Sequence, residues 1–114
     1  MNEFMMLFRS AGYGDYQPSP EEIQETVKKW QDWIGGIAAQ GKFSSTNQLG
    51  QEGKVVKTDH TVTDGPYAEL KEMIGGYVIV KASSIEEVVE MAKGCPVLEI
   101  GGNVEIRNIM EINL

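Results

Sequence analysis

The sequence predicts an α+β domain in which the strands of one antiparallel sheet are interleaved with two amphipathic helices. Three observations carry that prediction. Apolar segments with two-residue alternation lie at both ends and in the middle of the chain, two stretches of helical periodicity each open on a serine, and glycine or proline breaks separate them. At 114 residues the chain suits a single domain, residues 1–114, with neither linker nor internal repeat.

Glu3 to Arg9 reads as the first strand, with Phe4, Met6 and Phe8 on one face and Met5 and Leu7 on the other. Gly12, Gly14, Asp15 and Pro18 form a loop that ends at a helix start. Ser19 caps it, Pro20 takes the first helical position, and Glu22 completes an S-x-x-E capping box. Ile23, Val27, Trp30, Ile34 and Ile37 then make one apolar stripe of a helix ending near Gly41. Trp33 lies about 80° from the middle of that stripe, at the edge of the buried face. Gly35 and Gly36 weaken the helix by roughly 1 kcal/mol each, which suggests either close approach of another backbone or local fraying.

Phe43 to Leu49 and Gly53 to Val62 read as strands, followed by a turn at Asp64-Gly65-Pro66 and a polar segment from Tyr67 to Met73. Tyr77 to Ala82 is the next strand, with Val78 and Val80 on one face and Tyr77 and Ile79 on the other. Ser84 caps a second helix, Glu87 follows three residues later, and Ile85, Val88, Val89 and Ala92 form its stripe up to Gly94 and Pro96. Alternation from Asn103 to Ile112 gives the last strand. This order matches the ferredoxin-like plan, an antiparallel sheet with both helices on one face. Two helices cover one face only, yet the first strand and Tyr77–Ala82 are apolar on both. The second face therefore predicts packing against another sheet, most simply in a homodimer.

Ten basic against seventeen acidic residues give a net charge of -7, which repels phosphate backbones and anionic lipids and argues against nucleic acid or a membrane surface as partner. No apolar run approaches the roughly 20 residues of a membrane span, and the N-terminus has no leader pattern, so a cytoplasmic location is expected. The single cysteine, Cys95, cannot form an internal disulfide, and the single histidine is far from it in sequence. Cysteine and histidine offer no metal-ligand spacing, and no P-loop, dinucleotide fingerprint or nucleophile elbow is present; neither a metal nor a cofactor is expected.

Thr63-Asp64-Gly65-Pro66-Tyr67-Ala68-Glu69-Leu70-Lys71-Glu72, followed by Gly75-Gly76-Tyr77, resembles the signature of the DGPF (DGPFAETKE) family in the YCII-related domain superfamily. Ser19-Pro20-Glu21-Glu22, Trp30-Gln31-Asp32-Trp33, Cys95-Pro96 and Gly102 to Arg107 extend the likeness over most of the chain. Tyr67 stands in place of the usual phenylalanine and Leu70 in place of the usual threonine. The resemblance implies a dimeric α+β barrel of ferredoxin-like subunits. It also implies a histidine and aspartate pair in some relatives, with the histidine near the start of the first helix, and a link to sigma-factor regulation in others. The helix Pro20 to Gln40 contains no histidine, so Asp64 matches the aspartate of that pair while its partner is missing.

Asp64 is the candidate general acid or base, its carboxylate alternatively fixing the turn before Gly65. His60 is its chemical partner, but in a continuous strand the two would stand about 13 Å apart. Tyr77, Trp33, Phe8 and Arg107 are candidates to line a small-molecule pocket, with core packing and an ordinary ion pair to Glu105 or Glu111 as the structural alternatives. Three functions follow: a small-molecule binding or sensing dimer, a cofactor-independent enzyme on a small aromatic or hydroxylated compound, and a protein-interaction module.

Overall fold

A computed structural model of the chain describes residues 1–10, 16–65 and 73–113. The elements run β1 (Asn2–Arg9), α1 (Pro20–Ala39), β2 (Phe43–Gln48), β3 (Gly53–Val56), β4 (Val62–Gly65), β5 (Ile74–Ala82), α2 (Ile85–Ala92), a 3₁₀ helix (Pro96–Ile100) and β6 (Asn103–Asn108). Four strands form an antiparallel sheet in the order β2-β5-β1-β6, and β3 and β4 form a separate two-stranded sheet. The class is α+β, as expected. The loop at Gly12, Gly14 and Asp15 and the segment from Pro66 to Glu72 lie outside the described residues.

Local chemistry sets both helix starts. The Ser19 hydroxyl accepts the Glu22 N–H at 3.1 Å while the Glu22 carboxylate accepts the Ser19 N–H at 3.2 Å, so two of the helix's orphan donors are satisfied reciprocally. In α2 the Ser84 hydroxyl accepts the Glu87 N–H, and the Glu87 carboxylate reaches past the cap to the N–H of Ser83 at 3.1 Å. Lys42 ion-pairs with the same carboxylate.

The core lies on the helix side of the sheet. Phe4, Met6 and Phe8 of β1 and Val78, Val80 and Ala82 of β5 alternate inward and are buried with Ile37, Val88, Ala92, Cys95 and Val97. Phe8, Trp30 and Trp33 meet edge to face, with ring centroids 5.0, 5.9 and 5.7 Å apart, a geometry that aromatic rings favour. Gly102 passes so close to β1 that a Cβ there would meet the Arg9 carbonyl oxygen at 2.5 Å.

Several expectations are corrected. Gly35 and Gly36 have open space where a side chain would stand, so among the described residues no backbone approaches them there. The expected strand from Gly53 to Val62 breaks after Val56. There the Asp59 carboxylate accepts both the N–H and the hydroxyl of Thr61, and His60 takes a positive φ of 69°, which turns the chain back. Asp64 and Gly65, expected in a turn, instead complete β4 opposite Lys54 and Gly53. The last strand stops at Asn108, short of the expected Ile112, with one further bond from the Ile109 N–H to the Glu3 carbonyl. Ile23 and Val27 are half-exposed, so the α1 stripe is covered only from Trp30 onward.

Candidate functional site

The strand alternation that fills the core puts a second set of side chains on the face without helices. Cross-strand register arranges them in rows: Asn47, Tyr77, Leu7 and Glu105 in one, and Ser45, Ile79, Met5 and Arg107 in the next. Met5, Leu7, Tyr77 and Ile79 form an apolar centre, each only half-buried. Polar groups frame it. The Asn47 amide donates to the Tyr77 hydroxyl at 3.0 Å, which orients the ring's polar end. Arg9 donates to one oxygen of Glu105 at 2.8 Å and Arg107 to the other at 3.4 Å, so one carboxylate holds two guanidinium groups. Arg9, Lys81 and Arg107 against Glu3 and Glu105 leave this face slightly cationic on a chain whose net charge is -7. That balance suits an anionic group.

The sheet separates the sequence-chosen candidates. Tyr77 and Arg107 stand on the open face. Phe8 and Trp33 stand behind it in the aromatic cluster, where the Trp33 indole N–H donates to the Met91 carbonyl at 2.9 Å and ties α1 to the end of α2. Asp64 and His60 are on the β3–β4 hairpin, away from both sets. The Asp64 side chain is 90% exposed and ion-paired with Lys54, so it stands in solvent and not in a cleft. Arg9 and Asn47 complete the open-face set and were not singled out from sequence, while Glu105, named there as an ion-pair partner for Arg107, does pair with it at 3.4 Å. Only strand register shows that Glu105 sits opposite Leu7, one row from Arg9.

Burial pushes the Cys95 thiol up to about 11, against a smaller opposing effect of its backbone hydrogen bond with Val97, so it stays a neutral core side chain at physiological pH. A shallow, open pocket of about 510 Å³ lies at the far end of the sheet, lined by Asn2, Phe4, Ser83, Ser84, Ile85, Asn108 and Ile109. It holds none of the candidates. Among the described residues no group of three or more His, Cys, Asp and Glu side chains is placed to hold a metal ion, and no helix is long and apolar enough to cross a membrane.

These features define a one-sided α+β domain with an open, mixed apolar and charged sheet face. The chain belongs to the YCII-related domain family, whose model matches residues 6–113. None of the curated proteins matches it. Among solved structures it is similar to 5-chloro-2-hydroxyhydroquinone dehydrochlorinase from Burkholderia phenoliruptrix in complex with 2,5-dihydroxybenzoquinone, at 14% identity and a TM-score of 0.49 over 95% of this chain and 93% of that one.

Proposed function

We propose that the protein is a homodimer in which the open sheet faces of two copies pack together and enclose a site for a small organic anion. The unpartnered sheet face carries this reading, and the surface area leaves room for it. The chain exposes 8302 Å², where a compact monomer of 12.6 kDa exposes about 6,200 Å². The excess, on the order of 2,000 Å², exceeds the roughly 800 Å² per partner of a standard interface. The half-buried centre of Met5, Leu7, Tyr77 and Ile79 is the natural place to bury it.

Within that joint Arg107 and Arg9 supply charge, Tyr77 an aromatic wall with a fixed hydroxyl, and Leu7 and Met5 an apolar floor, the mixture that suits a small ligand. The Asp64-Gly65-Pro66 signature supports placing the chain in the DGPF branch of its family. A lone cysteine supports a reducing, cytoplasmic setting. The enzyme reading keeps Asp64 as acid or base but draws no support from the open position of that side chain.

A thermal-shift screen of small organic acids against the wild type, Arg107→Ala and Tyr77→Phe tests the site, because a ligand at a hundred times its Kd stabilises the native state by about 2.7 kcal/mol. An acid that raises the wild-type melting temperature and loses that effect in Arg107→Ala supports the proposal. Hits that ignore both substitutions refute this location.

A further inference from the structure

Two segments present apolar side chains that no described residue covers. One is the β3–β4 hairpin, whose strands pair only with each other. Val56 and Val62 are cross-strand partners, 67% and 59% exposed, and the Lys54–Asp64 ion pair flanks them on the same face. Two strands of four residues are marginal in water without an apolar surface to lie against. The chain as a whole is also extended, with a radius of gyration of 15.8 Å against about 13 Å for a compact domain of this length.

The other segment follows β6. The Ile109 N–H still donates to the Glu3 carbonyl at 3.0 Å, and there the ladder ends. Met110 and Ile112, alternating as in a strand, are 76% and 72% exposed.

Register puts these segments at opposite corners of the sheet. β2 ends at Gln48 beside Gly76, at the start of β5, and the chain leaves for the hairpin from that corner. β6 ends at Asn108 beside Phe4, at the start of β1, on the other edge and at the other end. One chain cannot bring them together. A two-fold axis in the plane between two stacked sheets, running along the diagonal that joins the other two corners, exchanges them. It crosses the strands of the two copies at near right angles, one of the two ways in which sheets stack. The hairpin corner of each copy then lies over the tail corner of its partner, twice.

We propose that the β3–β4 hairpin is a dimer clasp, laying Val56 and Val62 on the Ile109 to Ile112 segment of a second copy. This rests on the homodimer reading above and adds to it both the crossing direction of the sheets and the occupant of each exposed segment. Two measurements test it. The double variant Val62→Cys with Met110→Cys, treated with a short bis-maleimide, is expected to give covalent dimer that neither single variant gives; native Cys95 is buried and does not compete. A chain ended after Asn108 is expected to keep its circular dichroism and raise the dimer dissociation constant at least tenfold in sedimentation equilibrium. If the double variant cross-links no better than the single ones and the shortened chain dimerises as tightly as wild type, the clasp is overturned and the sheet-face dimer stands. A wild type that is monomeric throughout overturns both.

Discussion

Arg9 on β1 and Glu105 on β6 meet at 2.8 Å across the open face of the sheet, although 96 residues separate them in the chain. Arg9 is 25% and Glu105 37% exposed at the side chain, so the pair is partly shielded from water, and Arg107 approaches the second oxygen of the same carboxylate. Partly exposed pairs contribute at most about 1 kcal/mol. A double-mutant cycle of Arg9→Gln and Glu105→Gln, read by urea unfolding, is expected to give a coupling near 0.5 kcal/mol. Glu105→Gln alone releases two guanidinium groups from their shared partner and is expected to tighten binding of any anion found at this face.

Trp33 joins α1 to α2 through its indole N–H. Trp33→Phe keeps the ring contacts with Phe8 and Trp30 in part but leaves the Met91 carbonyl without this donor, at an expected cost of about 1–2 kcal/mol. Trp33→Ala also opens a cavity, for a total of about 3–5 kcal/mol. Denaturant midpoints at unchanged slope check both.

Elements fixed by local chemistry were legible in the sequence, and those fixed by a partner were not. The α1 start could be read because Ser19 and Glu22 satisfy each other within one turn. The two faces of β1 and β5 followed from alternation alone. The length of β6 did not, because the alternation runs on to Ile112 while the ladder with β1 ends at Asn108. The hairpin at Lys57 to Thr61 was hidden by an alternation that continues through it, and the side chain of Asp59 decides the turn. Phe8 and Tyr77 were grouped as neighbours since both are aromatic. Pairing Tyr77 with Leu7 and not with Phe8 puts them on opposite sides of the sheet, and no pattern within either strand carries that information.

Titration of Cys95 leaves a mark at alkaline pH. Its folded value of about 11 lies above the ordinary value of 9.0, so its contribution to stability is fully present below about pH 9 and is lost as the pH rises toward 11. Melting temperatures of the wild type are expected to fall across that window more steeply than those of Cys95→Ala. Equal slopes would mean that the thiol is accessible in the folded state.

Glu87 acts at the other end of the scale. The Lys42 ammonium, and after it the Ser83 N–H, hold its carboxyl below the ordinary 4.5. A lowered folded value gives stability that is present above about pH 4.5 and is lost as the pH falls through the lower value. Glu87→Gln is expected to melt lower than wild type at pH 7 and to converge with it in acid, as followed by circular dichroism.

Light scattering after size exclusion, on the wild type and on Leu7→Lys, tests the open-face dimer most directly. Leu7 sits on the half-buried centre of that face and outside the core, so the lysine variant is expected to stay folded and to run near 12.6 kDa, while the wild type runs at twice that mass. A wild type that stays monomeric at micromolar concentration, or a Leu7→Lys variant that dimerises as well as wild type, would contradict the account.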